Sequence, residues 1–173
     1  MRWEPLVLIA LTASLVGLMI LLTMTNRRHR WIALGTLAYL TGLGAIVFTP
    51  LSFSGTAVYV MPAGIGRVNL TQLDIWNLGF FENILMTLPL GFLFKRFWPS
   101  LSLWGVGFLG LSAGSFIEIA QYILSHHWLI NRSSDLNDVL ANALGVLLGG
   151  LVALALQHLQ TTHQQKLTRV SMS

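Results

Sequence analysis

Five long and nearly uncharged runs divide this chain, and they constrain its fold more than any other feature. The runs cover residues 5–25, 31–48, 77–94, 101–124 and 135–156. A helix crosses the hydrocarbon layer of a membrane with about 20 mostly apolar residues. The sequence therefore predicts an all-α fold, a polytopic transmembrane helix bundle of about five spans in a single domain over residues 1–173.

The composition agrees with a protein that lies in the bilayer. Hydrophobic residues make up 54% of the chain and charged residues 9%, whereas soluble domains carry about 25% charged residues. The chain has no cysteine, which excludes disulfides, thiolate nucleophiles and cysteine-ligated metals. The net charge is +4, but the basic residues form short clusters beside apolar runs. We interpret them as topology signals and expect no nucleic-acid partner.

The segments between the runs are polar. Arg27, Arg28 and Arg30 follow the first run and no small-residue cleavage site closes it, so we expect it to remain as a helix. Residues 51–76 contain Pro62 and several glycines without a helical period, which predicts an extramembrane loop. We expect a short polar turn at 125–134 and a polar tail at 157–173 that frays.

The basic residues divide unequally between the two predicted sides of the membrane. One side would carry Arg27, Arg28, Arg30, Lys95, Arg96, Lys166 and Arg169, and the other Arg2, Arg67 and Arg132. The positive-inside rule then places the amino terminus, the 51–76 loop and the 125–134 turn outside the cell membrane, and the carboxyl-terminal tail in the cytoplasm. Every acidic residue falls in the outer half.

Polar residues within the third, fourth and fifth runs form the candidate site. Glu118 would lie about 9 Å below the outer surface, at 1.5 Å per helical residue. On the fourth helix, one face would carry Glu118 and Gln121. On the fifth helix, one face would carry Asp135, Asp138 and Asn142, and Asn83 on the third helix can reach the same level. Charges within the bilayer cost a few kcal/mol and normally pair or serve a function. We take Glu118 and Asp138 as candidate catalytic residues. The candidate binding residues are Arg132, Asn83, Gln121, Asp135 and Asn142.

Each of these residues also has a structural interpretation. Asp135 and Asp138 would suit the start of the fifth helix, where the dipole favours acids. Asn142 and Gln121 would form hydrogen bonds between helices. Glu118 fits these alternatives least, because it lies neither at a terminus nor near a basic residue of its own helix. Arg132, in the adjoining turn, is its expected partner, within salt-bridge or water-bridged reach.

Two further patterns have simpler interpretations. His126 and His127 are adjacent and do not share a helix face, so we predict no metal site. The glycine pairs Gly110/Gly114 and Gly145/Gly149 have the spacing that lets helices pack closely, within one chain or between subunits.

The polar residues occur in a recognisable order. Asn83 precedes Pro89-x-Gly91, Glu118-x-x-Gln121 follows, and the last part is Arg132-x-x-Asp135-x-x-Asp138-x-x-x-Asn142-x-x-Gly145-x-x-x-Gly149. This order resembles the VanZ-like family of bacterial membrane proteins, over about residues 30–155. Thr87 departs from it, because the family usually has an aromatic residue there. The resemblance implies a role in the cell envelope. The family's association with resistance to the antibiotic teicoplanin is not carried over to this chain.

Three functions compete. The first is a protein that binds or modifies an envelope component, either a lipid-linked headgroup or a glycopeptide. The second is an enzyme acting on a lipid-linked cell-wall precursor, with Glu118 as general acid or base and Arg132 on an anionic group. The third is a small transporter, which the confinement of the acids to the outer half disfavours. Membrane lipid is the expected partner in the first two cases, and no cofactor is implied.

Overall fold

The computed structural model describes residues 1–53 and 56–171, and these contain five helices and four short strands. The helices are α1 Glu4–Thr23, α2 Arg27–Val47, α3 Leu78–Phe97, α4 Leu103–Trp128 and α5 Leu136–Ser171. The strands are β1 Leu51–Phe53, β2 Val58–Val60, β3 Val68–Asn69 and β4 Ser134–Asp135. All five described helices are long and apolar enough to cross a membrane. The predicted all-α transmembrane fold is confirmed.

Some boundaries differ from those expected. Helix α2 begins earlier, at Arg27, because the side chain of Asn26 accepts a hydrogen bond from the backbone N–H of His29 at 3.1 Å and caps the helix. Helix α4 continues through the first residues of the predicted turn. Helix α5 continues to Ser171 through most of the predicted 157–173 tail, whose last two residues lie outside the described part.

The long connection after α2 contains three short strands. Strands β1 and β2 pair antiparallel, with Leu51 opposite Val60. Strand β3 pairs parallel with β4, so that Val68 lies opposite Ser134 and Asn69 opposite Asp135. The connection before α3 is therefore held against the segment that begins α5.

The chain divides into two compact units, which we describe separately. The first comprises Met1–Leu73 and Phe116–Leu136. Within it α1 packs on α2, where Gly17 lies against Leu37, and the rings of Phe48 and Phe116 meet edge to face at 6.2 Å. Most side chains of α1 are exposed, and most of the exposed ones are apolar, as expected of a helix whose surroundings are lipid tails rather than water.

The second unit comprises Asp74–Ser115 and the chain from Asn137 onward. Its helices meet through glycines. A side chain on Gly91 or Gly149 would overlap the carbonyl groups of Val146 or Leu88, so α3 and α5 are in backbone contact. Gly110 and Gly114 bring α4 against α5 in the same way. Within the described part, these glycines therefore pack helices of one chain.

Candidate functional site

One face of α4 carries buried polar side chains in the first unit. Glu118, Gln121 and Ser125 are spaced i, i+3 and i+7, and they are 6%, 7% and 1% exposed. Residues at these spacings lie on the same side of a helix. The α4 helix thus presents a carboxylate, an amide and a hydroxyl to the protein interior.

Glu118 contacts the segment that leads into α5. Its carboxylate Oε2 accepts a hydrogen bond from the backbone N–H of Asp135 at 2.8 Å, and its main-chain oxygen accepts one from Ser134 Oγ at 2.8 Å. Asp135 immediately precedes α5. A negative charge beside the first residues of a helix is favoured by the helix dipole. Glu118 therefore joins α4 to the start of the next helix.

Asp135 is held in turn by a residue that sequence reasoning missed. The Nδ2 of Asn69 donates to both carboxylate oxygens of Asp135, at 3.0 and 3.2 Å. The Oδ1 of Asn69 accepts from the backbone N–H groups of Thr71 and Gln72. No local pattern marks Asn69, because only the parallel pairing of β3 with β4 brings it to Asp135, 66 residues away.

Arg132 contacts the carboxyl-terminal end of α2. Its guanidinium donates to the carbonyl oxygens of Ile46, Leu51 and Thr49, the last at 3.3 Å, and to Ser52 Oγ at 3.4 Å. The last four carbonyls of a helix have no partner within it, and a cation is favourable at that end. The arginine thereby caps α2 from a distant part of the chain.

Gln121 contacts the same helix end, since its Nε2 donates to the carbonyl of Val47 at 3.1 Å. Two residues predicted to bind a ligand, Arg132 and Gln121, thus form hydrogen bonds to the end of α2. The pairing of Glu118 with Arg132 stays a prediction.

Hydrogen bonds hold both ends of the turn between α4 and α5. Ser125 Oγ accepts from the backbone N–H of Arg132 and donates to its carbonyl, both at 2.9 Å. The backbone N–H of Ser134 donates to the carbonyl of Arg67 at 2.8 Å. Leu129 and Asn131 have φ angles of 53° and 61°, so the chain reverses there through the left-handed region.

The other candidate residues belong to the second unit. Thr87 Oγ donates to the carbonyl of Asn142 at 3.1 Å and to that of Asn83 at 2.8 Å, which joins α3 to α5. Asp138 lies one helical turn before Asn142, as Asn83 lies one turn before Thr87. The threonine that departs from the family pattern thus links two candidate residues.

Asn137 is a second residue that sequence reasoning missed. It is 2% exposed, and its Oδ1 accepts a hydrogen bond from the backbone N–H of Asp74 at 2.9 Å. It was not predicted as a site residue because Asn137 is adjacent to Asp138 and does not share the helix face predicted for Asp135, Asp138 and Asn142. It holds the segment before α3 to the start of α5 within the second unit.

The adjacent histidines contact aromatic neighbours. The His126 ring lies 4.1 Å from that of Tyr122 between centroids, and the His127 ring lies 5.8 Å from that of Trp128. Among the side chains that the structure describes, no group of three or more His, Asp or Glu is arranged to hold a metal ion.

Comparison with known protein families gives a match. The family model described as VanZ/LLP1 matches residues 36–157, more than half of the chain. No curated protein and no solved structure matches. The matched range runs from α2 into α5 and contains every candidate residue from Asn83 to Asn142.

Proposed function

The chain belongs to the VanZ/LLP1 family, and from this premise we propose that it is a cell-envelope membrane protein that binds or modifies an envelope component. The component is a lipid-linked headgroup or a glycopeptide. The site comprises Glu118 and Asp135 with Asn69 beside them. Gln121 and Arg132 hold the surrounding backbone. Asn83, Asp138 and Asn142 remain candidates from the sequence.

The burial of Glu118 is the observation that supports this proposal most. The residue lies in a helix that can span a membrane and is 6% exposed. A carboxylate in such a position costs at least about 2 kcal/mol. A chain that needed only packing there would be more stable with an apolar residue. Retention of the charge is explained if the carboxylate accepts hydrogen bonds from hydroxyl or amide groups of a ligand.

The charge asymmetry supports an outward-facing site. Arg2 donates to the carbonyl of Met61, and the backbone N–H of Ser134 donates to that of Arg67, so the amino terminus, the 61–67 part of the loop and the turn before α5 lie together within the first unit. In the proposal this side is external and the carboxyl terminus is cytoplasmic, because the larger group of basic residues would then be inside.

An enzyme acting on a lipid-linked precursor is the second candidate. Two carboxylates, those of Glu118 and Asp135, occur in one hydrogen-bonded cluster. General acid–base catalysis needs a carboxyl group within reach of the proton that it moves. In this candidate Glu118 exchanges the proton, and Asp138 is the other residue proposed from the sequence.

Lipid mass spectrometry of cells with and without the protein tests both candidates. A binder leaves cellular lipids unchanged but carries a co-purified species, whereas an enzyme changes the abundance of a precursor. The decisive variant is Glu118→Gln, because glutamine keeps an oxygen that can accept from Asp135 and removes the charge. We expect a folded protein that has lost the co-purified or altered species.

The matched control is Asp74→Asn, which removes an exposed charge in the connection between α2 and α3 and keeps an oxygen for the backbone N–H of Trp76. It should behave like the parent chain. If Glu118→Gln also behaves like the parent, the proposed site is wrong.

A further inference from the structure

The first unit contains an apolar groove that the proposed function does not use. Its walls are Pro5, Leu8 and Ile9 of α1, Phe48 after α2, and the α4 side chains from Phe116 to Leu124. The groove is open along one side and has a volume of about 350 Å³, within the range of about 300–1,000 Å³ that is usual for small-molecule pockets. No titratable side chain lines it.

The groove is separate from the polar cluster. On α4 its walls include Phe116, Ala120 and Ile123, at i, i+4 and i+7, whereas the buried polar face begins at Glu118. Two residues correspond to about 200° around a helix with 3.6 residues per turn. The groove and Glu118 therefore lie on opposite sides of α4.

One end of the groove has the composition of a membrane interface. Trp128, one turn beyond Leu124 on α4, donates from Nε1 to the carboxylate of Glu4 at 2.6 Å, and Glu4 directly precedes Pro5. Tryptophan is enriched where the hydrocarbon meets the headgroups. The groove thus extends from the headgroup level into the hydrocarbon layer, over about 12 Å of α4 at 1.5 Å per residue.

Arg2 lies at this end of the groove. Its guanidinium donates to the carbonyl of Met61, whose N–H donates to the carbonyl of Pro50, two residues after Phe48. Among the described residues, the side chain of Arg2 forms no ion pair, and its Nε is buried without a hydrogen-bond partner. The Glu4 carboxylate at this end pairs with the terminal ammonium group of Met1 at 2.8 Å, and no described carboxylate lies within 4 Å of the Arg2 guanidinium.

We propose that the groove binds one acyl chain of an anionic membrane phospholipid, whose phosphate pairs with Arg2. The apolar walls suit a hydrocarbon chain, and the arginine matches the charge of the phosphodiester. This proposal does not depend on the proposed function, because the two sites share no residue.

The test uses the purified full chain in detergent with two lipids that have the same oleoyl chains, phosphatidylglycerol and phosphatidylcholine. Native mass spectrometry measures bound lipid per chain, and thermal unfolding measures the shift that each lipid produces. We expect phosphatidylglycerol to bind about fivefold more tightly, which is the usual effect of one basic residue near an anionic lipid.

Two variants separate the headgroup contact from the chain contact. Arg2→Gln should abolish the preference for phosphatidylglycerol, while its control Arg67→Gln, at an exposed arginine in the connection between α2 and α3, should keep it. Ala120→Phe fills the groove and should remove binding of both lipids. Its control Val7→Phe adds a ring to the opposite face of α1, where the side chain is exposed, and should bind both lipids normally.

Several results would overturn the proposal. Preference for phosphatidylglycerol that survives Arg2→Gln would exclude the headgroup contact. Lipid binding to folded Ala120→Phe at the level of the parent chain would exclude the groove. If Ala120→Phe instead converts a dimer into a monomer without changing lipid binding, the occupant is a second copy of the chain. Arg2 precedes the first helix, so its variant gives a result even if Ala120→Phe fails to fold.

Discussion

In this protein, single polar side chains donate hydrogen bonds to backbone carbonyls at helix ends, where no backbone donor is available. Arg132 and Gln121 supply donors to the end of α2, and Lys95 does the same after α3, where Nζ donates to the carbonyls of Pro99 and Leu101 at 2.7 Å each. In a membrane, an unsatisfied carbonyl costs several kcal/mol because water is not available to replace the partner. Gln121 and Lys95 are buried and Arg132 is half-buried, because the backbone requires their donors there.

We expect Arg132→Gln to lower the free energy of unfolding by about 3 kcal/mol, because it leaves several carbonyls without a charged donor. Arg132→Lys should retain little of this stability, since an ammonium group cannot reproduce the several directed N–H donors of a planar guanidinium. Denaturant unfolding in detergent measures both effects. Arg67→Gln is the control and should change the stability by less than about 0.5 kcal/mol. Equal stability of all three variants would show that the contacts of Arg132 contribute nothing.

Glu118 should tolerate glutamine but not alanine as far as stability is concerned. Glutamine retains an acceptor for the N–H of Asp135, whereas alanine leaves that buried group unsatisfied, at a cost of about 2 kcal/mol. Thermal unfolding of Glu118→Gln and Glu118→Ala tests this difference. If an ion pair with Arg132 held the residue instead, Glu118→Gln would be strongly destabilised, and Arg132→Gln in the same chain would partly restore stability.

A negative charge introduced at position 69 should destabilise the protein. Asn69→Asp places a second carboxylate within about 3 Å of Asp135, where like charges repel strongly. We expect a lower melting temperature than that of Asn69→Ala at neutral pH, and the gap should narrow in acid as the carboxylates take up protons. A gap that does not change with pH would mean that the repulsion is absent.

At the scale of elements, small residues bring α3 and α5 together. The two helices touch where Gly91 and Gly149 have no side chain, and Thr87 Oγ adds a hydrogen bond to the carbonyl of Asn142. Apolar side chains gain nothing from leaving lipid for another helix, so association in membranes depends on close packing and hydrogen bonds. The glycines are therefore part of what holds the second unit together.

Gly149→Leu should destabilise the protein by about 3 kcal/mol or more, since the new side chain would overlap the backbone at Leu88 and force the helices apart. The matched control is Gly107→Leu on α4, where a Cβ would meet no atom within 4 Å. Leucine is the better helix former, so the control should be neutral or slightly stabilising. Similar melting temperatures for the two variants would mean that α3 and α5 do not depend on this contact.

At the scale of the whole molecule, the proposed membrane orientation rests on the charges at the helix ends. The proposal places the 51–76 loop outside and Lys95 and Arg96 inside, because basic residues are retained in the cytoplasm. A reporter fused within the loop should be active outside the cell. One fused after Arg96 should be active inside. The opposite pattern in both fusions would reverse the orientation and turn the polar cluster towards the cytoplasm.

The sequence alone determined much of the fold and part of the site. Runs of apolar residues are a local property, and the requirement that a span satisfy its own backbone leaves the helix as the form that they take. The five helices therefore lie close to where they were predicted. The burial of Glu118 was predictable in the same way, since a lone carboxylate within such a run has to face the protein interior.

The tertiary structure decided which residues contact one another. Asn69 and Asp135 meet across 66 residues because two short strands pair, and Arg132 reaches the end of α2 across 83 residues because the turn before α5 reverses through Leu129 and Asn131. Such contacts depend on the conformation of irregular connections, which have no period to read. That is why Arg132, expected as the partner of Glu118 on charge alone, was not expected at the carbonyls of α2.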